Sequence, residues 1–276
     1  MFTRICLILT IILTSCAVFK KDPTKGNPPG TLKINDTLYV DQTEVTNISW
    51  REYLYYLSNT KKDESKYQIA LPDTLVWNSD TSVSPLSEYY YRHPSFNNYP
   101  VVGISYEQAN EFCKWRTYAA NQEVYLKKTK DPMTHLKDSF PIKFFYRLPT
   151  QEEWEMVASG NLTASEFPYG YKDVYTKWRG KKSKMFNCIY PNERPHPSGP
   201  HSPDVKFYTA DVKAFLPNFY ATYNMIGNVA EMILKKGIAK GRSFTHPLDS
   251  CKISINQYYS KPEMWLGFRC VAVKIK

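Results

Sequence analysis

The hydrophobic and polar positions of the chain predict short strands that alternate with amphipathic helices. Residues 38–45 alternate in part between apolar and polar side chains, which indicates a strand. Apolar side chains then recur at helical spacing from Trp50 to Leu57, and Thr46 or Asn47 stands where the helix N-cap is expected. The pattern therefore predicts a strand followed by a helix.

Two capping boxes predict the first turns of two more helices. Ser105 and Gln108 form one of them, directly after an apolar run at 100–104 that indicates a short buried strand. Thr150 and Glu153 form the other. In each box the hydroxyl and the side chain three residues later can satisfy backbone amides that the start of a helix leaves unpaired.

The remaining segments carry weaker patterns. Residues 144–149 indicate a strand that ends at a proline. Residues 59–98 show no sustained period and are predicted to be a long loop or insertion, and residues 121–142 form a second polar stretch. Beyond Gly160 the sequence indicates turns with short strands. Two or three helices that precede a loop-rich β region are typical of the α+β class, which is the predicted fold class.

The N-terminus has the three-part order of a secretory signal. Arg4 gives a positively charged start, residues 5–13 are almost entirely apolar, and small residues lead into Cys16. The end of the segment resembles a bacterial lipobox, in which the cysteine is diacylated and the chain is cut just before it. We therefore expect a signal peptide at 1–15 and a lipidated, flexible tether at 16–30. A plain cleaved signal with an incidental cysteine is the alternative.

Composition and charge describe the part that follows the tether, which is predicted to be one domain at 31–276. Hydrophobic residues make up 42% of the chain and aromatic residues 15%, a globular rather than a disordered balance. The net charge of +10 is scattered, and no nucleic-acid motif is present, so nucleic acid is not an expected partner. In an exported chain the cysteines of this domain can form disulfides, with three full pairings open. These cysteines are Cys113, Cys188, Cys251 and Cys270.

Four groups of short motifs follow one another in a fixed order along the domain. They are VDQTEVT at 40–46; YPVVGIS at 99–105 with ANEFC at 109–113; YRLPTQEEW at 146–154; and YNMIGNVAE at 223–231 with KGRSF at 240–244 and LGFRC at 266–270. Together they resemble the formylglycine-generating enzyme, or sulfatase-modifying factor, family. The resemblance implies an irregular, loop-rich α+β fold related to C-type lectins.

The resemblance implies a disulfide between Cys113 and Cys270, because the family joins its helix cysteine to the cysteine of the terminal LGFRC motif. The chain-entropy model gives such a long loop about 4–5 kcal/mol at most. Two buried free thiols are the alternative. The family's second disulfide has no matching pair in this sequence.

The family's chemistry depends on two thiolates that hold copper(I), a soft ion that prefers sulfur, during oxidation of a substrate cysteine by oxygen. By position, His246 stands at the first of these places and Cys251 at the second. Ala230 replaces a tryptophan of the family's substrate groove. We therefore expect no formylglycine generation and no copper. An atypical metal-dependent oxidase that uses Cys251 and His246 stays open.

The resemblance also implies two structural calcium sites, built from the oxygen ligands that this hard cation prefers. The first site takes side-chain oxygens from Asn224 and Glu231 and backbone carbonyls from Gly227 and Val229. In the second site, Cys188 and Lys206 contribute backbone carbonyls. The first set is Asn224, Gly227, Val229 and Glu231. The second set is Asn187, Cys188, Asp204 and Lys206. The alternative for the first set is a loop stitched by hydrogen bonds alone.

These observations favour a lipid-anchored binding or structural component of an envelope assembly over an enzyme. The tract at 91–96 together with 99–103 resembles the lipoproteins of gliding motility and type IX secretion. We expect attachment to the membrane through the lipid, at the outer membrane and facing the periplasm, with other envelope proteins as partners. A lectin-like module that binds glycans through the aromatic run at 89–91 is a further alternative.

Overall fold

The computed structural model describes residues 22–79, 83–130, 140–178, 180–191 and 208–275. Within them the chain mixes helices with small sheets, in agreement with the predicted α+β class. None of the helices in these ranges is both long enough and apolar enough to cross a bilayer.

Four predictions fall on residues outside the described ranges. They concern the signal peptide at 1–15, the lipidated Cys16, and the calcium ligands Asp204 and Lys206. Each of these stays a prediction.

The first sheet joins the two ends of the domain. Its order is β1 (Thr31–Lys33), β2 (Leu38–Asp41), β10 (Val271–Lys274) and β3 (Phe144–Arg147), with strands numbered in chain order. All three pairings are antiparallel. Because the last strand lies between the second and the third, the LGFRC segment that precedes it is brought beside the early VDQTEVT segment.

A hairpin and a second sheet follow in the second half of the chain. The hairpin pairs β4 (Tyr175–Trp178) with β5 (Lys181–Lys184). The strands of the sheet are β6 (Ala230–Met232), β7 (Ile238–Lys240), β8 (Gln257–Tyr258) and β9 (Leu266–Gly267). Their order is β8-β7-β6-β9, and the β6–β9 pair is parallel.

The α-helices begin largely where the sequence predicted. Thr46 caps the first, and the capping boxes that begin at Ser105 and Thr150 are both formed. In the described residues the α-helices are α1 (Asn47–Tyr55), α2 (Glu64–Ala70), α3 (Leu86–Tyr89), α4 (Tyr106–Thr129) and α5 (Gln151–Ser159).

The segment at 59–98, predicted as a long loop or insertion, contains α2, α3 and further short helical turns, so the prediction of a loop is wrong. Each turn is too short to give a hydrophobic period, and tertiary packing holds it instead. Trp77 and Tyr90 are fully buried here, with ring centroids 4.6 Å apart. The apolar run at 100–104 is buried as expected, but its pairing is limited to an isolated bridge between Pro100 and Thr46.

Helix α4 extends to Thr129, into the polar stretch at 121–142. Asn121 fastens this part of the helix to the neighbouring chain. Its Nδ2 donates to the carbonyl of Phe144 at 2.7 Å, and its Oδ1 accepts from the amide of Lys143 at 2.7 Å. Hydrogen bonds from a side chain such as that of Asn121 cannot be predicted from hydrophobic periodicity.

Three aromatic rings form the centre of the largest core cluster. Trp50 of α1 stacks on Phe112 of α4 with centroids 5.3 Å apart, and Phe268 meets Phe112 edge-on at 5.5 Å. All three are buried. The two helices that the sequence predicted are thereby packed against the LGFRC segment.

Candidate functional site

The turn after β7 carries the two residues that stand at the family's copper positions. Gly241 and Arg242 open it with left-handed backbone, at φ values of 86° and 59°. A Cβ atom at Gly241 would lie 2.6 Å from the carbonyl oxygen of Met225, so the turn requires glycine. The next residue of the turn, Ser243, is buried.

His246 is held by two hydroxyl groups of its own turn. Its Nδ1 lies 2.9 Å from Oγ of Ser243 and 3.0 Å from Oγ1 of Thr245. Burial lowers the pKa of His246 to about 4, and the positive charge of Arg242 adds to this effect. The imidazole is therefore neutral at neutral pH, and it is a harder ligand than the thiolate it replaces.

Cys251 does not present its thiol to solvent. Its exposure is 0%, and its Sγ lies 3.4 Å from the carbonyl oxygen of Pro247 and 4.0 Å from that of His246. It belongs to the same buried apolar cluster as Cys188. A bond between these two cysteines stays an open alternative. The second copper position is thus occupied by a thiol that points into the main chain of its own turn.

The structure brings Cys113 and Cys270 together. Their Sγ atoms lie 3.5 Å apart, and both are buried free thiols here. Burial raises the pKa of Cys270 well above its ordinary value, and the neighbouring Cys113 adds to the rise. The predicted disulfide therefore joins residues that are in contact, while the bond itself stays a prediction.

Glu231, a predicted calcium ligand, lies in a buried ion pair. Its Oε2 accepts from Nε of Arg269 at 2.7 Å, and its Oε1 accepts from the terminal Nη2 of the same guanidinium at 2.6 Å. Nε1 of Trp154 also donates to Oε2, at 2.8 Å. Such a bidentate pair is the strong form of the charge-assisted hydrogen bond.

Asn224, the other predicted side-chain ligand, faces a second buried carboxyl group. Its Nδ2 lies 3.3 Å from Oε2 of Glu44, and Nδ2 of Asn228 donates to Oε1 of Glu44 at 2.7 Å. Burial raises the pKa of Glu44 to about 8, and the nearby Glu231 adds to this rise while Arg269 opposes it. We call these five residues, with Trp154, the ion-pair centre.

Both predicted side-chain ligands of the first calcium set are engaged by hydrogen bonds in this arrangement. A cation bound to Glu231 would stand against the guanidinium of Arg269, so binding would require Glu231 to exchange partners. Gly227 has left-handed backbone at φ 76°, and a Cβ there would lie 2.6 Å from the carbonyl of Asn187. Val229 is buried. Hydrogen bonds therefore close the loop as observed, and calcium stays a prediction.

The second predicted calcium set is described only in part. Nδ2 of Asn187 donates to the carbonyl of Tyr208 and to Oδ1 of Asn228, both at 3.1 Å, and Cys188 is buried. Across the ranges the structure describes, no three His, Cys, Asp or Glu side chains gather as a metal cluster.

The aromatic run at 89–91, a candidate glycan surface, is mostly turned inward. Tyr90 is fully buried, and the hydroxyl of Tyr91 donates to the carbonyl of Val102 at 3.0 Å. Tyr89 is exposed and lines a shallow open depression with Arg92 and its neighbours. The run therefore offers one ring of three to a ligand.

Sequence reasoning did not assign roles to Glu44 and Arg269, although both lie in the motifs that carry the resemblance. Glu44 stands among polar residues of the VDQTEVT segment, whereas Arg269 is a charged residue inside an otherwise apolar segment. That pattern signals a buried charge with a partner, but it does not identify the partner. The partners lie 184 and 38 residues away along the chain.

A comparison with known proteins identifies a family that matches this chain. A family model described as the sulfatase-modifying factor enzyme 1-like domain matches residues 12–274. The match covers nearly the whole chain. With the mixed helix and sheet described above, it confirms the fold predicted from the resemblance.

Individual relatives are distant. The chain is 25% identical to the mouse protein named formylglycine-generating enzyme over 225 residues, which cover 75% of this chain and 51% of the relative. It is 28% identical over 137 residues to the cattle protein named inactive C-alpha-formylglycine-generating enzyme 2, covering 48% of this chain and 32% of the relative. The chain spans about half the length, or less, of these relatives.

Among solved structures, CarF covers 87% of both chains at a TM-score of 0.48 and 17% identity. Treponema denticola variable protein 1 covers 86% of this chain and 84% of its own, at a TM-score of 0.46 and 17% identity.

Proposed function

This chain belongs to the sulfatase-modifying factor enzyme 1-like family, and from that premise we propose that it is a non-catalytic binding or structural component of a bacterial cell envelope. In this proposal Cys16 carries the lipid that holds the domain at the outer membrane, facing the periplasm. Its partners are other envelope proteins, in an assembly of the gliding-motility or type IX secretion kind.

The observation that carries the non-catalytic part is the state of the two copper positions. One is a neutral imidazole whose Nδ1 is engaged by hydroxyls, and the other, Cys251, is a thiol with no exposed surface. Copper(I) bound by two thiolates needs two reactive sulfurs that can meet each other and the substrate. This turn supplies one sulfur, and it faces the carbonyl of Pro247.

A relative that is named as inactive supports the non-catalytic role. The cattle protein that this chain resembles over 137 residues bears the word inactive in its name. Family members thus include proteins named for a lost activity, and a retained fold with altered copper positions is consistent with that group. The envelope location and the assembly rest on the N-terminal segment and on the tract at 91–103.

The test compares three variants of the chain, each expressed in bacteria with the N-terminal segment intact. Crosslinking and co-purification from membranes should recover the same partners with Cys251→Ala and with His246→Ala as with the unaltered chain. Cys16→Ala should remove the protein from the membrane fraction and lose those partners. Cys6, which lies in the predicted signal segment, gives a matched control as Cys6→Ala.

The competing oxidase predicts a different result. Under that reading, purified protein would bind copper stoichiometrically and consume oxygen in the presence of a thiol peptide. Loss of this activity in Cys251→Ala, with partners unchanged, would overturn the non-catalytic proposal and leave the lipid anchor standing.

A further inference from the structure

An exposed apolar loop stands out on the surface of the domain. The segment at 213–222, here called the Phe219 loop, presents Phe219 at 74% exposure and Leu216 at 49%. The Tyr220 ring contacts that of Phe219 edge-on, with centroids 5.7 Å apart. Clustered large apolar side chains on a surface mark a contact with a partner or a membrane.

The loop is built to hold these side chains outward. Asn218 is buried beneath it and donates from Nδ2 to the carbonyl of Val157 at 2.7 Å. Its Oδ1 accepts from the amide of Tyr220 at 3.0 Å and from Oγ1 of Thr222 at 2.7 Å. This amide side chain satisfies the turn from the inside, so the exposure of Phe219 belongs to an ordered conformation.

A second tie fixes the other side of the loop. The hydroxyl of Tyr171 donates to the carbonyl of Leu216 at 2.9 Å. Ala221 adopts left-handed backbone at φ 64°, which closes the turn before Thr222. The loop is thereby attached to the rest of the domain at Leu216 as well as at Asn218.

The N-terminal tether enters the domain beside this loop. The carbonyl of Gly30 accepts from the amide of Gln42 at 3.1 Å, and the carbonyl of Gln42 accepts from the amide of Tyr223 at 2.9 Å. Tyr223 directly follows the Phe219 loop, and the Lys213 ammonium at the start of that loop lies 6.0 Å from the Tyr223 ring.

The first described residue, Asp22, lies close enough to the Phe219 loop for its charge to interact with that of Lys213. Its pKa is lowered mainly by hydrogen bonds from Thr24, and the positive charges of Lys213 and Lys25 contribute. Cys16 lies six residues before Asp22. Six residues of extended chain reach about 20 Å at most, so a lipid on Cys16 keeps the bilayer surface close to this side of the domain.

We propose that the Phe219 loop is a membrane-contact surface, with Phe219 and Leu216 entering the headgroup region of the bilayer that holds the Cys16 lipid. The proposal rests on the lipid anchorage proposed above. Aromatic side chains favour this interfacial depth, and an acyl anchor combines with a second contact to orient a peripheral protein. Lys213 and Lys25 lie where they can meet anionic headgroups.

The test measures depth in the bilayer at two equally exposed positions. Phe219→Cys and Tyr258→Cys, both at residues 74% exposed, are labelled with the fluorophore NBD in the lipidated full chain. The four cysteines of the domain are buried, which directs labelling to the new thiol. The protein is reconstituted in phosphatidylcholine vesicles with phosphatidylglycerol and with nitroxide-bearing lipid as the quencher.

We expect nitroxide lipid to quench the probe at 219 at least threefold more than the probe at 258. Leu216→Cys should behave like Phe219→Cys. Equal quenching at 219 and 258, in protein that floats with the vesicles, would overturn the membrane contact and leave the anchor intact. Protein that does not float with the vesicles would overturn the anchor and this proposal together.

Discussion

The ion-pair centre and the turn at 241–251 lie in one domain, and they differ in the hydrogen-bond partners of their side chains. At the centre, Glu231 meets Arg269 with two hydrogen bonds, and both residues are buried. In the turn, His246 and Cys251 make local contacts with hydroxyls and carbonyls of the same short segment. The side-chain hydrogen bonds of the centre therefore join distant parts of the chain, whereas those of His246 and Cys251 stay within their own turn.

The largest expected effect comes from breaking the buried pair. Arg269→Met should lower the free energy of unfolding by about 3–5 kcal/mol, because it leaves the Glu231 carboxylate buried without a cation. Urea denaturation monitored by tryptophan fluorescence measures the loss. Lys236→Met removes an exposed ion pair with Glu107 and should cost about 0–1 kcal/mol. Similar losses in the two variants would contradict the assigned importance of the centre.

The stability of the turn at 241–251 should depend more on its backbone conformation than on its side chains. Gly241→Ala places a Cβ against the Met225 carbonyl and should cost about 2–3 kcal/mol, since it adds a contact to left-handed strain. Gly180 has a similar φ of 78° with open space around it. Gly180→Ala should therefore cost only the strain, about 1–2 kcal/mol. Equal losses of stability would show that the contact at 241 is relieved.

Local features of this fold could be predicted from the pattern of residues. Long-range contacts could not, except where the family resemblance supplied them. The capping boxes at Ser105 and Thr150 were predicted because each depends on residues three positions apart. The family resemblance added the contact of Cys113 with Cys270. The partner of Glu44 was not predicted, because Asn228 lies 184 residues away and hydrophobic periodicity carries no information on such a pair.

The two regions should also differ in how stability depends on pH, starting with the ion-pair centre. The pKa of Glu44 is raised from 4.5 to about 8 in the folded state. For an acid with a raised folded-state pKa, stability is fully present below pH 4.5 and is lost as the pH rises toward 8. At about 1.4 kcal/mol per pKa unit, a rise of this size at an isolated group would correspond to about 5 kcal/mol. Because Glu44 shares its titration with Glu231, we expect Glu44→Gln to remove a smaller part of this fall, about 1–2 kcal/mol.

Denaturation at a series of pH values between 4 and 9 measures this slope for Glu44→Gln and for the unaltered chain. Glu111→Gln, at an exposed ion pair, is the control and should keep the unaltered profile. A Glu44→Gln profile that runs parallel to that of the unaltered chain would mean that Glu44 titrates normally in the folded protein.

His246 should give the opposite slope and the smallest effect. Its pKa is lowered from 6.5 to about 4, so between those values the unfolded chain binds more protons and stability rises with pH. Because the ring is only partly buried, solvent screening reduces this to about 1 kcal/mol or less. His246→Asn should flatten the acid side of the profile, whereas exposed His93→Asn should leave it unchanged. An NMR titration that places the His246 pKa near 6.5 would contradict a partly buried, neutral imidazole whose Nδ1 is engaged by the hydroxyls of Ser243 and Thr245.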